Sequence, residues 1–146
     1  MNKLFPIVFS IAGIGLLVFG WQELFSGYSS KDWKTTQGVV IESRAVDNGR
    51  SKSGGRNYKP VIVYSYDVER DSFTSDRILF GMASKEWLSI YPEGTSVTVA
   101  YNPSDPSQST LTAGAHYTAW IAPSMGAAFL AAGLFMFRAS RKKHKK

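Results

Sequence analysis

The chain has 146 residues, enough for one domain of ordinary size, with 44% hydrophobic residues and a formal net charge of +6. It has no cysteine, which excludes disulfides, thiolate metal sites and cysteine nucleophiles. The charge surplus excludes nucleic acid as a partner: residues 26–116 hold ten basic and ten acidic side chains, Lys3 and Glu23 cancel, and the excess is the tail Arg138, Arg141, Lys142, Lys143, Lys145 and Lys146.

Residues 4–22 are uncharged and just long enough to cross a bilayer as a helix. Pro6 falls in the first turn, where its missing N–H is harmless. The rival reading is a cleaved signal peptide with Lys3 as its basic start. The apolar run is longer than usual for such a segment, and residues 25–27 are its one small-residue cleavage candidate, so a retained span is expected. Ser10, Gly13 and Gly20 share one face, as a close helix contact in lipid requires.

Residues 26–33 are polar and read as a linker, with a β domain over 34–112. Residues 38–43 are β-branched and read as a strand. Residues 47–57 are rich in Gly and Ser and read as a hairpin loop. Residues 60–68 form the strongest strand signal, with Ile62, Tyr64, Tyr66 and Val68 on one face. Glu69-Arg70-Asp71 turns the chain and 73–80 returns as its partner strand. Residues 83–91 suit a short helix with Ser84 as N-cap and Trp87, Leu88 and Tyr91 as its apolar side. Pro92-Glu93-Gly94 ends it, 95–101 alternates with Val97, Val99 and Tyr101 inward, residues 102–106 make a double turn, and 109–111 form a short last strand.

Residues 113–137 are a juxtamembrane turn and a second span, uncharged from 117 to 137 and roughly 31 Å long as a helix. Its small residues Ser124, Ala128 and Ala132 recur at i, i+4 and i+8, and Pro123 is expected to bend it. Packing of the two spans, a homo-oligomer or a membrane-protein partner are the uses such rows serve. Only Lys31 and Lys34 lie near the outer ends of the spans, against Lys3 and the 138–146 tail near the inner ends. Both termini are therefore expected in the cytoplasm, with 26–116 outside it. Trp21, Phe25, Tyr28, Tyr117 and Trp120 suit the outer headgroup level. The tail suits contact with anionic lipid. The expected fold class is a membrane α+β protein: two transmembrane helices flanking a small antiparallel β-sandwich or barrel-like domain with one short helix.

The order of these signals resembles domain-of-unknown-function family 3592, mostly bacterial membrane proteins. The resemblance rests on Trp33, Gly38-Val39-Val40, Tyr58, Pro60, Val61, Val63, Tyr64, Tyr66, Val68, Phe73, Ser75, Arg77 and Gly81. Its most specific part is Tyr91-Pro92-x-Gly94-x-x-Val97-x-Val99-x-Tyr101-Asn102-Pro103-x-Asp105-Pro106, ending at Leu111. At the hairpin the family often has a glycine where this chain has Glu69-Arg70-Asp71. The resemblance implies no activity, cofactor or catalytic residue.

The residues themselves point the same way, to no catalytic, cofactor or metal site. The two histidines, His116 and His144, flank the second span on opposite sides, and there is no Gly-x-Ser-x-Gly elbow. Asp67, Glu69 and Asp71 would share a face if the strand continued, as paired carboxylates or a calcium site require, but Arg70 sits among them. Asp76 and Arg77 fall on opposite faces of a strand, and Glu23 lies near an interface with water. Arg50, Lys52 and Arg56 on the glycine-rich loop suit anionic headgroups or polymers, without phosphate-loop spacing. The leading expectation is a non-enzymatic interaction module. An accessory or immunity-type protein that binds a toxin or transporter is the alternative, and an enzyme or a channel has less support.

Overall fold

The computed structural model describes residues 4–50 and 54–142, and side chains through Ala139. Lys3, Lys52, His144 and the tail cations from Arg141 onward therefore lie outside what is described below. The chain divides into two compact units, one of residues 1–25 and 117–146 and the other of residues 26–116.

Two helical stretches, Leu4–Asp32 and Tyr117–Ala139, are long and apolar enough to cross a membrane. The α-helices themselves are α1, Leu4–Ser29, and α3, Ile121–Lys142. They approach through glycines. A Cβ on Gly13 would lie 2.9 Å from the Gly126 carbonyl oxygen, and one on Gly20 would lie 2.7 Å from the Pro123 nitrogen. One on Gly133 would lie 2.6 Å from Ser10 Oγ, and the Phe9 and Phe129 rings are 5.3 Å apart. In lipid, helix contact depends on backbone approach and dispersion, which these glycine notches allow. The α1 face is the expected one. The α3 face is not: Gly126 and Gly133 are buried while Ser124 and Ala128 are exposed. Nor does Pro123 interrupt a helix, because residues Tyr117–Trp120 form a 3-10 turn and α3 begins at Ile121. Pro123 thus stands in the first α-helical turn, where no N–H is needed.

The second unit holds seven strands among the described residues: β1 Lys34–Arg50, β2 Arg56–Val68, β3 Asp71–Ser75, β4 Leu79–Phe80, β5 Ser96–Asn102, β6 Asp105–Thr110 and β7 Thr112–Ala115. Five form one antiparallel sheet in the order β3-β2-β1-β5-β6. The other two, β4 and β7, pair in parallel. Residues 73–80 are therefore not one strand. The chain leaves β3 after Ser75, crosses Asp76-Arg77-Ile78 and joins β7 instead of β2. Asp76 and Arg77 lie on this crossing, so strand alternation does not place them. Residues 26–29, expected in a linker, continue α1, and Ser30–Asp32 follow as a 3-10 turn.

The core sits on one face of the sheet. Ile62, Tyr64, Tyr66, Val97 and Val99 point inward, as the period-two pattern predicts, and Val40, Ile78 and Leu79 join them. Trp87, Leu88 and Tyr91 pack against this cluster from α2, Trp87–Ile90, the Trp87 and Tyr91 rings being 5.8 Å apart. The helix is a single turn. Ser84 supplies a carbonyl to the Trp87 N–H in the preceding turn, while Glu86 occupies the N-cap position without a side-chain cap. The edge strands β3 and β6 lie near one another. Tyr66 donates its hydroxyl hydrogen to the Pro106 carbonyl at 2.6 Å, so a side chain of β2 reaches β6.

The turns account for the most specific sequence signature. Gly94 has φ 81 as third residue of the Pro92–Thr95 turn, closed by Thr95 N–H to the Pro92 carbonyl at 3.2 Å. That is the type II position that favours glycine. Asn102 Oδ1 accepts from Ser104 N, and Asp105 Oδ1 accepts from both Ser107 N and Ser107 Oγ. Asn-Pro-x-Asp-Pro is thus the chemistry of a tight hairpin between β5 and β6. The β2–β3 turn departs from the glycine pattern: Glu69 itself takes φ 58, which for an L-residue costs about 1–2 kcal/mol.

Candidate interaction surface

Three of the sequence candidates for chemistry, Asp67, Glu69 and Asp71, fall on the β2–β3 hairpin. Asp67 Oδ1 accepts from Ser72 Oγ at 2.5 Å across the β2–β3 pair, Glu69 is in the turn, and Asp71 opens β3. No group of three or more acids or histidines suited to a metal ion occurs among the described residues. Asp105, at the β5–β6 turn, is held below the usual carboxylate range by Ser107 and then Gln108, a consequence of turn geometry. His116 donates its backbone N–H to the Phe80 carbonyl, which fixes it structurally beside the β4–β7 pair. Glu23 is half-buried in α1.

One cluster was not visible in the sequence. Ser30 is buried, donates its hydroxyl hydrogen to the Gly27 carbonyl at 2.7 Å and accepts the Gly114 N–H at 2.8 Å. Gly114 has φ 99, and a Cβ on Gly27 would lie 2.8 Å from Ala115 Cα. Two glycines and one serine thereby join the end of α1 to β7, although 84 residues separate Ser30 from Gly114. Ser30 looks like any linker serine because its partner is so distant. Ser30→Ala orphans a buried N–H and is expected to destabilise the unit by about 1–3 kcal/mol. Thermal unfolding of the full chain in detergent measures it, and a midpoint equal to wild type would refute the role.

The feature left for function is an arm. β5 pairs with β1 only along Lys34–Val39, and β3 pairs with β2 only along Tyr64–Val68. From residue 41 outward, β1 and β2 pair only with each other, through Glu42↔Val63 to Asp47↔Tyr58 and Arg50↔Arg56. Most of what reads as a loop at 47–57 is thus strand, and the arm runs roughly 30 Å at strand rise. Residues 41–63 carry five basic and two acidic side chains, while the rest of 26–116 carries five basic and eight acidic. The neutral domain is therefore polarised. The two acids of the arm lie beside arginines: Glu42 meets Arg44, and Asp47 is 3.8 Å from Arg56. All four are exposed enough that such pairs contribute little stability. Lys85 lies over the Tyr58 ring at 5.6 Å.

A family model described as Domain of unknown function (DUF3592) matches residues 36–116, more than half of the chain. The chain belongs to this family. No curated protein and no solved structure matches it. The matched stretch takes in all of the five-stranded sheet except the first two residues of β1, together with the β4–β7 pair.

Proposed function

We propose that this DUF3592 chain is a non-enzymatic membrane-anchored interaction module. Its two apolar helices cross the bilayer with both termini in the cytoplasm, and residues 26–116 face the other side. The observation that carries this reading is the contrast within the β domain. Its singular polar groups are occupied in turns and joints, while the β1–β2 arm extends beyond the sheet, where β1 pairs with β2 alone. Catalysis needs convergent groups around one reacting atom, and the candidates are scattered over turns. A partner-binding element needs reach and accessible edges, which the arm has. The basic tail adds anchorage at anionic headgroups, at about 1 kcal/mol per cation near the surface. On this reading the sheet is a partly closed barrel, with the Tyr64 and Tyr66 hydroxyls tying β2 to the edge strand β6.

The cysteine-free sequence makes the test direct. Single cysteines at Asn57 and Ala139 are treated with a membrane-impermeant maleimide in intact cells and after permeabilisation. Asn57→Cys is expected to react in intact cells, and Ala139→Cys only after permeabilisation. The reverse pattern overturns the topology, and loss of both from the membrane fraction overturns the anchor.

A further inference from the structure

The arm has two faces, and its charges are not shared equally between them. Arg56 and Tyr58 alternate onto the face of β2 that continues through the buried Pro60 and Ile62. Across the arm Asp47 lies opposite Tyr58 and Arg50 lies opposite Arg56, and residues paired in this way share a face. The bulge in β1 falls between these two pairs and leaves each of them in place. Lys85, in the turn before α2, comes to the same face, 5.6 Å from the centre of the Tyr58 ring. Lys59 alternates to the opposite face, where it meets Val46. The inner face of the arm therefore gathers Arg50, Arg56 and Lys85 around one carboxylate. That carboxylate is engaged in the bulge: Asp47 Oδ1 accepts the Gly49 N–H at 2.9 Å, and Oδ2 stands 3.8 Å from Arg56, beyond hydrogen-bond reach. Among the described residues no carboxylate meets Arg50. Glu86, beside Lys85 in sequence, accepts a hydrogen bond from Ser84 and serves its own turn.

We propose that the inner face of the β1–β2 arm binds a terminal phosphate group, held between the guanidiniums of Arg50 and Arg56 with Lys85 as a further cation. This rests on the module reading above and names the class of its ligand. Like charges directly opposite on neighbouring strands are destabilising, so the Arg50–Arg56 pair works against the fold that displays it. Both arginines are exposed, and packing does not hold them there. An anion between them turns the repulsion into attraction. The number of oxygens selects the anion. One guanidinium fork takes both oxygens of a carboxylate, whereas a terminal phosphate brings three acceptor oxygens and close to two charges. Two forks whose Cα atoms are about 4.5–5.5 Å apart can therefore share one phosphate. Lys85 stands by Tyr58, the next residue on this face and about 7 Å along the strand, where it meets a second anionic group of the same ligand. A lipid headgroup that ends in phosphate and the end of a soluble phosphorylated chain both carry this chemistry.

The probe is pyrophosphate, titrated calorimetrically into the full chain in neutral detergent, with citrate as a carboxylate of similar charge. Pyrophosphate is expected to bind at least about 10-fold more tightly than citrate. Arg50→Gln and Arg56→Gln should each weaken it by about 10-fold or more, the loss of charge-assisted hydrogen bonds. Lys59→Gln removes the same charge from the other face and should change the affinity by less than about 2-fold, as an exposed charge outside the site does. Lysine at both arginine positions keeps the charge without the forks and should not restore wild-type binding. Without ligand, Arg50→Gln should melt no lower than wild type, since it removes a like-charge pair. Absence of pyrophosphate binding, citrate bound as tightly, or equal losses at Arg56 and Lys59 overturns the site. The chain is then placed in neutral-lipid nanodiscs with and without phosphatidate. Arg56-dependent pyrophosphate binding that phosphatidate abolishes supports the site with a lipid as its phosphate source, and binding that persists supports it with a soluble one. Pyrophosphate binding with Asn57→Cys labelled only from the cytoplasm upholds the site and overturns the topology proposed above. An outward-facing arm that binds no pyrophosphate overturns the site and leaves the module reading standing.

Discussion

Gly38→Ala is expected to cost the β domain about 3 kcal/mol, the upper part of the range for forcing one extra carbon into a packed interior. Gly38 is buried in the central strand of the sheet, opposite Tyr66 on β2 and Val97 on β5. A Cβ there would lie 2.6 Å from the Ser65 carbonyl oxygen, 2.8 Å from Val99 Cγ2 and 3.2 Å from Tyr66 Cβ. Val99 could turn its methyl, but the Ser65 oxygen is backbone of a strand bonded on both sides and cannot retreat alone. The glycine is needed for space, since its φ is not positive. At about 4–8 °C per kcal/mol for a domain of this size, the midpoint should fall by roughly 15 °C. Gly55→Ala is the matched control, having open space around it and no positive φ, and should leave the midpoint unchanged. Thermal unfolding followed by near-ultraviolet circular dichroism of the full chain in detergent compares the two. Equal midpoints for both variants would mean that β2 yields at Ser65, contrary to the packing described.

The same residue marks what was legible beforehand. Alternation along 60–68 and 95–101 identified the inward residues correctly, because those strands have one buried and one wetter face and their side chains must sort by polarity. The distal half of β1 was missed for the complementary reason. From Arg44 to Arg50 the strand is solvated on both faces and beyond its outer edge, so no polarity pattern marks it as a strand. The break at Asp76-Arg77-Ile78 was hidden because residues 73–80 remain apolar enough for one strand, although the chain changes partner between Ser75 and Leu79. Partner choice is a long-range property, and here it depends on residues 112–115. The helix contact failed more narrowly. Two rows of small residues run along α3, and only the one containing Gly126 and Gly133 admits a backbone at 2.9–3.2 Å from a built Cβ. Alanine rows have the same spacing but keep their Cβ atoms. The Ser30–Gly114 joint was not legible, since nothing local distinguishes Ser30 from Ser29.

Raising the pH through 10 to 12 should remove about 3 kcal/mol of stability through one side chain, Tyr64. Its ring is fully buried, its hydroxyl donates to the Arg77 carbonyl at 2.9 Å, and Ser109 Oγ lies 3.0 Å away. Burial pushes the phenol from 10.0 up to about 12, with smaller downward contributions from the Ser109 and Ser75 hydroxyls. The cause is direct: a phenolate there would lose its hydration and face a carbonyl oxygen that has nothing to donate. The unfolded chain releases this proton near pH 10, while the folded chain holds it to about 12. The folded state therefore binds more protons in that window, and stability must fall as pH rises, by about 1.4 kcal/mol per pH unit. Below pH 10 the contribution is complete, and above pH 12 it is gone. Tyr64→Phe isolates it from the other tyrosines and the lysines, which titrate alike in both proteins. At pH 8 the variant should be less stable by about 1–2 kcal/mol, having lost a buried hydroxyl bonded to Arg77 and Ser109. Between pH 10 and 12 that deficit should shrink and then reverse, because the variant has no proton to surrender. Urea titrations of both proteins at pH 8, 10 and 11.5 give the comparison. A deficit constant across all three would show that Tyr64 ionises in the folded domain as it does in water, and that the hydroxyl is not shut into the core between Arg77 and Ser109.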